Sequence, residues 1–243
     1  MPILHKARRG TVCLLSAFAL LSCSGAPTSA PSTKTATDQP LSPVEMAGTP
    51  ERVRLITEEQ YFNTLTYVFG PEIKLAAHFA PMRRTDGLLE GGAASAGVTA
   101  SQLEQYQRTA NTLATRVVDE GHRNFLVPCK PADDKAADKA CATTFLSSVG
   151  RLLYRKPLSA ERLQFVVNKA GENADRLKDF YAGLGIALEG MLISPNFLMV
   201  AEQSEADPAH AGRKRLDAYS LASRLSFFLW NAAPDDQIGR AHV

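Results

Sequence analysis

The sequence has few cysteines, and none of them lies in a motif that binds a cofactor. Four cysteines occur among the 243 residues, and no Cys-x-x-Cys-His run is present, which excludes covalent c-type haem attachment in this chain. The His-Glu-x-x-His and Gly-x-Ser-x-Gly motifs of metalloproteases and serine hydrolases are also missing. The glycine-rich stretch 87–97 lacks the Gly-Lys-Ser/Thr ending of a phosphate-binding loop. The catalytic site is therefore unknown, and we expect no cofactor and no metal in the chain.

A long hydrophobic run is absent as well. The apolar stretch 12–21 has about half of the ~20 residues that a membrane-spanning helix needs. Basic residues at 6–9 precede this stretch, and Leu-Leu-Ser-Cys at 20–23 closes it. This order predicts a cleaved lipoprotein signal peptide over 1–22, with Cys23 as the lipidated first residue of the mature chain. The alternative is an ordinary secretory signal that is cut near Ala26.

The predicted lipid on Cys23 indicates where the protein works. Two or more acyl chains hold a protein on a membrane essentially permanently. Ser24, rather than Asp, after the lipidated cysteine favours the outer membrane of a Gram-negative cell. We therefore expect a lipid-anchored protein of the cell envelope, facing the periplasm or the exterior. The segment 23–50, rich in Ser, Thr, Pro and Ala, predicts a disordered linker, and the alternative is a docking segment for a partner.

The chain also lacks an excess of charge of either sign. Removal of 1–22 takes away three of the 27 basic residues and none of the 25 acidic ones, so the mature net charge is −1. A nucleic-acid-binding protein normally has a basic excess or a basic stripe. We therefore expect no nucleic acid among the partners.

What the sequence does contain is helical periodicity nearly throughout, without a strand-like alternation. Two capping boxes, Thr57 with Gln60 and Thr99 with Gln102, predict a helix near 58–69 and a long helix that begins after Thr99. The predicted fold class is all-α, with several small helical-bundle domains in tandem after the signal peptide and linker. The domains are expected at 51–122, 123–205 and 206–237.

The second half of the chain offers further start signals for helices. Ser159 and Asp217 are expected to cap one helix each, and Asp175 to open another that carries Leu177 and Phe180 on its apolar face. Pro195 stands at the favoured first position of a short helical turn.

Cys129 and Cys141 are the cysteines that remain after Cys13 leaves with the signal peptide and Cys23 takes lipid. They bracket a polar loop, and in an oxidising envelope such a pair predicts a disulfide in the second domain. A zinc site is disfavoured because no histidine lies between them.

Four segments together resemble one known family. They are Arg-Leu-Ile-Thr-Glu-Glu-Gln-Tyr at 54–61, Arg-Lys-Pro-Leu-Ser at 155–159, Ser-Pro-Asn-Phe-Leu at 194–198 and Leu-Ala-Ser-Arg-Leu-Ser-Phe-Phe-Leu-Trp at 221–230. This arrangement is similar to the planctomycete-type secreted multi-domain proteins of unknown function, whose helical domains accompany cytochromes. The resemblance implies the order of the domains and an association with a c-type cytochrome module. It does not identify any catalytic residue.

The resemblance also implies that the segment 221–230 opens a longer domain. The chain is therefore expected to be a C-terminally truncated member of that family. The last six residues, 238–243, do not resemble the family's continuation, and Ile-Gly-Arg-Ala-His-Val is encoded by one reading frame of a common sequencing adapter. We expect these six residues to be a sequencing artefact.

Two functions of different classes follow from these features. The first is a non-catalytic envelope lipoprotein whose helical domains serve as a scaffold or interaction module for a partner. The second is a fragment of a periplasmic or surface redox enzyme that works with a c-type cytochrome, the haem being held in a missing region or in a partner. The membrane, through the lipid anchor, and a c-type cytochrome or other envelope protein are the expected partners.

Overall fold

A computed structural model describes residues 52–73, 75, 77–79 and 97–235 of the chain. All of them belong to one compact unit, 46–243. The predicted signal peptide 1–22 with Cys23, the linker 23–50, nearly all of the glycine-rich stretch 87–97 and the terminal segment 238–243 lie outside the described residues. The domain boundaries drawn from the sequence stay a prediction.

Helices make up most of the described region. They are α1 (Glu58–Phe69), α2 (Ala100–Val118), α3 (Arg123–Leu126), α4 (Lys139–Tyr154), α5 (Ala160–Leu177), α6 (Phe180–Leu192), α7 (Pro195–Leu198) and α8 (Ala218–Trp230). None of these eight helices combines the length and the hydropathy that crossing a lipid bilayer requires.

The predicted helix starts at Thr57 and Thr99 are confirmed. In each box the threonine side chain accepts a hydrogen bond from the backbone N–H of the glutamine three residues on, and that glutamine reaches back to the cap. Both ends of the box are satisfied within four residues, so the sequence alone specifies where these two helices begin. Ser159 and Asp217 also cap their helices as predicted.

Short strands modify the all-α prediction. β1 (Val53–Leu55) pairs antiparallel with β2 (Met199–Ala201), and β3 (Ser204–Ala206) pairs antiparallel with β4 (Lys214–Leu216). The all-α prediction holds only approximately, because strands of three residues are too short to show an alternating pattern in the sequence. The fold is mostly helical, with two small antiparallel sheets.

The core is built around α6, which lies against both α2 and α5. Leu184, Leu188 and Met191 of α6 are fully buried. Gly183 allows α5 to come close, since a β-carbon at this position would lie 2.5 Å from the carbonyl oxygen of Ala170. The tight approach of two helices therefore depends on the absence of one side chain.

The predicted helix start at Asp175 was wrong. Asp175 lies inside α5, and its carboxylate accepts a hydrogen bond from the backbone N–H of Ala137 at 3.0 Å. Lys178 adopts a left-handed conformation (φ 55°) that ends α5, and Asp179 caps α6 through the N–H of Ala182. Two aspartates four residues apart are equal cap candidates in sequence, and the left-handed residue between them decides which is used.

Candidate interaction site at the helix junction

The most buried cation of the described region lies at the end of α4. Arg155 adopts a left-handed conformation (φ 61°) there, and its side chain is buried. It donates hydrogen bonds to the carbonyl oxygens of Leu153 at 3.2 Å, Phe197 at 3.1 Å, Asn196 at 2.9 Å and Met199 at 2.7 Å. Because the last carbonyls of a helix have no partner within the helix, Arg155 satisfies the ends of both α4 and α7.

A second arginine lies close to the first. Arg54 of β1 donates to the side-chain oxygen of Gln60 at 2.8 Å and to the carbonyl of Leu55 at 3.2 Å. The guanidinium carbons of Arg54 and Arg155 lie 5.3 and 5.8 Å from the ring centroid of Phe227 in α8. An aromatic face attracts cations at this distance, so one ring of α8 stabilises both charges.

The two like charges affect each other. Burial, and then the charge of Arg54, lower the pKa of Arg155 to about 10. Burial also lowers the pKa of Arg54, against the opposing effect of the carboxylate of Glu202. Glu202 itself accepts hydrogen bonds from Arg224 of α8, with 2.8 Å between Nε and Oε1. β1, β2 and α8 are therefore held together by charge-assisted contacts.

These contacts border a cavity of about 280 Å³. We call this place, with Arg54, Arg155 and Phe227, the helix junction. The cavity is lined by side chains from α4, β2 and the start of α8, including Tyr154, Lys156, Gln203, Asp217 and Tyr219.

The polar groups of the cavity mostly have structural partners. Lys156 donates to Gln203 at 3.4 Å, and Asp217 accepts from the N–H of Ser220 at 2.6 Å. The hydroxyl of Tyr154 is buried without a hydrogen-bond partner among the described residues. This arrangement joins helices.

The paired carboxylates at the start of α1 are also used structurally. Glu58 accepts from the backbone N–H of Phe79 at 2.7 Å and contacts the ring nitrogen of His78 at 3.0 Å. Glu59 accepts from the side chain of Asn231, which follows α8, at 2.9 Å. Within 52–73, 75, 77–79 and 97–235, no group of three or more His, Cys, Asp or Glu side chains could hold a metal ion.

The predicted pair Cys129 and Cys141 forms a disulfide that closes the loop before α4. Cys141 is 4% exposed and belongs to the core, so the bridge fastens this loop to the packed helices. Cys23, the predicted lipidation site, lies outside the described residues.

The fold and the junction define a mostly helical protein in which distant segments meet. Three family models match the chain in succession, each described as a protein of unknown function. Residues 54–119 match PSD3 (DUF1587), residues 141–202 match PSD5 (DUF1595) and residues 216–242 match PSD4 (DUF1592). These matches support a family of multi-domain proteins of unknown function, as the resemblance in the sequence implied. No curated protein and no solved structure matches the chain.

The helix junction contains one residue from each of the three matched regions. Arg54 lies in the first, Arg155 in the second and Phe227 in the third. The sequence segments that carry the resemblance include all three residues, yet the sequence assigned them no role. The one local signal was an arginine directly after a helix and before Lys-Pro, which is a position where a side chain can turn back onto helix-terminal carbonyls.

Proposed function

We propose that this protein is a cell-envelope lipoprotein whose helical domains act as a scaffold or interaction module and have no catalytic activity of their own. The observation that supports this function is that the charged residues at the helix junction are hydrogen-bonded to groups that hold the helices together. Arg155 is bound by four backbone carbonyls, Glu202 by Arg224, and Asp217 by the start of α8. Charged groups that are fully occupied in joining helices are suited to holding a rigid surface, and they are poorly placed for proton transfer.

The proposal includes a lipid anchor at Cys23 in the outer membrane, facing the periplasm or the exterior. Its test is metabolic labelling with a fatty acid in a Gram-negative host. We expect label on the wild-type chain and none on Cys23→Ser, and we expect the variant to leave the membrane fraction. A labelled Cys23→Ser chain, or an unlabelled wild type, would contradict the anchor.

The outer face of α8 supports a longer third domain. Phe228, Leu229 and Trp230 are 82%, 58% and 59% exposed, and soluble proteins rarely leave such a patch uncovered. We propose that further helical polypeptide of the third domain covers this face. Trp230 is the one tryptophan of the sequence, so its emission should shift to the blue in a longer chain in which every added tryptophan is replaced by phenylalanine. Unchanged emission in that longer chain would contradict the proposal.

The scaffold function is tested by isolating the tagged full chain from the envelope after chemical cross-linking. We expect one protein partner in fixed proportion and no haem absorbance. A haem-containing partner would instead favour the alternative, a redox assembly with a c-type cytochrome. The Cys23→Ser chain serves as the control for contacts that need the membrane. A chain that is recovered alone from both preparations would contradict the scaffold proposal.

A further inference from the structure

A second surface feature shares no lining residue with the cavity of the helix junction. A groove of about 490 Å³ runs between the second half of α2 and the first half of α6. Ala114 and Val118 of α2 and Gly185 of α6 line it. A β-carbon at Gly185 would lie 3.1 Å from Val118, so the small residue keeps the floor of the groove open and the helices close. Ile186, which is 39% exposed, adds apolar surface.

The rim of the groove is acidic. Asp119, Glu120, Asp179 and Glu189 line it, and Arg123 is the one basic residue among the lining side chains. Arg123 stacks on the ring of another lining residue, Tyr181, with 4.2 Å from the guanidinium to the ring centroid, and lies 3.8 Å from Glu120. Asp119 also contacts the ring nitrogen of His122 at 2.7 Å, so the negative charge over the apolar floor rests mainly on Asp179 and Glu189.

Hydrogen bonds hold two of these carboxylates without neutralising them. Asp179 accepts from the backbone N–H of Ala182 at 2.9 Å, and Glu189 accepts from the amide of Asn111 at 2.9 Å. Neutral donors fix the position of a carboxylate and leave its charge in place. The rim is therefore a set of fixed negative charges.

We propose that this groove is the docking site for a basic amphipathic helix of a partner protein. The aliphatic stems of lysine or arginine side chains cover apolar surface while their charged ends reach a polar rim. Such side chains would lie over Val118 and Ile186 and place their cations at Asp179 and Glu189. Charge complementarity at the rim selects the partner and speeds its arrival. This inference rests on the proposed scaffold function, for which it names the class of partner.

The test uses the full chain and a fluorescent synthetic helix with lysines on one face and leucines on the other. Asp179→Asn/Glu189→Gln keeps the cap and the bond to Asn111 and removes two charges. We expect this pair to raise the Kd about tenfold, which is ~1.4 kcal/mol for the two exposed ion pairs together. The matched control Glu161→Gln/Glu172→Gln removes two charges from α5, outside the groove, and should change the Kd less than about twofold.

Three results would overturn the proposal. They are no binding of the peptide, equal weakening by the two pairs of substitutions, or displacement of the peptide by spermidine at a lower concentration than by unlabelled peptide. The last result would assign the groove to a small polyamine. If the groove does not bind the peptide, the scaffold proposal is unaffected. The cross-linking experiment identifies partners of the whole chain and does not depend on Asp179 or Glu189.

Discussion

The guanidinium carbon of Arg155 lies 5.8 Å from the ring centroid of Phe227. This contact joins the end of α4 to the middle of α8. Arg155 is 9% exposed and Phe227 is 6% exposed. The fold thus buries a charge that has carbonyl oxygens and an aromatic face as its neighbours. A buried charge is tolerated only where its hydrogen bonds are satisfied.

Removal of Arg155 should destabilise the protein strongly. Arg155→Ala removes the donor of four carbonyls, two of them in buried and two in part-buried hydrogen bonds, and each buried polar group without a partner costs ~1–3 kcal/mol. We expect the free energy of unfolding to fall by about 3 kcal/mol or more, measured by urea denaturation. Arg176→Ala removes an exposed arginine of α5 that donates to the side chain of Asn173, and it should change stability by less than about 0.5 kcal/mol. Equal effects of the two variants would contradict the role of Arg155.

The disulfide should contribute to stability through the loop that it closes. Cys129 and Cys141 are 12 residues apart, and closing a loop of that size contributes about 3 kcal/mol on the chain-entropy model. We expect Cys129→Ser/Cys141→Ala to lower the free energy of unfolding by this amount. Reductant should produce the same loss in the wild type and no change in the double variant. An unchanged free energy of unfolding of the wild type in the presence of reductant would contradict this account.

Two glycines of α6 should respond to alanine in opposite directions. A β-carbon at Gly183 would lie 2.5 Å from the backbone of α5, whereas a β-carbon at Gly190 would meet nothing within 4 Å. Gly183→Ala should destabilise by ~1–3 kcal/mol because the helices must separate. Gly190→Ala should stabilise by up to ~1 kcal/mol because alanine favours the helix. The Tm of each variant, measured by thermal unfolding, tests this prediction. A shift of the Tm in the same direction in both variants would contradict the close approach of α5 and α6 at Gly183.

Stability should fall in acid partly through Asp138. The pKa of Asp138 is lowered from 3.8, mainly by the hydrogen bond from the N–H of Cys141 and then by that from Ala132. A carboxyl with a lowered pKa in the folded state stabilises above its unfolded pKa, and this contribution is lost as the pH falls below about 3.8. Asp138→Asn keeps the cap but cannot titrate. The variant should therefore be less stable than the wild type near neutral pH, and the difference should shrink as the pH falls through the folded pKa of Asp138, measured by urea denaturation at a series of pH values.

Local signals predicted much of the helical fold, and distant contacts could not be predicted in the same way. Thr57 with Gln60 specifies a helix start within four residues, so the sequence was sufficient there. Asp175 and Asp179 look alike in sequence, and the choice between them depends on the left-handed conformation of Lys178. Arg155 meets its carbonyl partners only after α7 has been placed beside α4. The helix junction is therefore a product of tertiary structure, and the local signal at Arg155 indicates only one of its residues.

The acidic groove illustrates the same limit. Asp119 and Asp179 appear in the sequence as ordinary residues at helix ends, and Glu189 as a surface residue of an apolar helix. Their common rim exists because α2 and α6 pack side by side. Charge counted along the chain gave a net near zero, and it could not show that negative charge collects on one face.

The pairing of β1 with β2 has a consequence for how the chain folds. Val53 is paired with Ala201, and Leu55 with Met199, so β1 receives its partner only after α1 to α7 have been synthesised or exported. Pairings between distant segments slow folding, and a strand that waits exposes backbone groups to other chains. When the polypeptide emerges N-terminus first, β1 is therefore exposed and prone to aggregation until β2 has emerged. The yield of folded protein should depend on chaperones that bind the chain during this time.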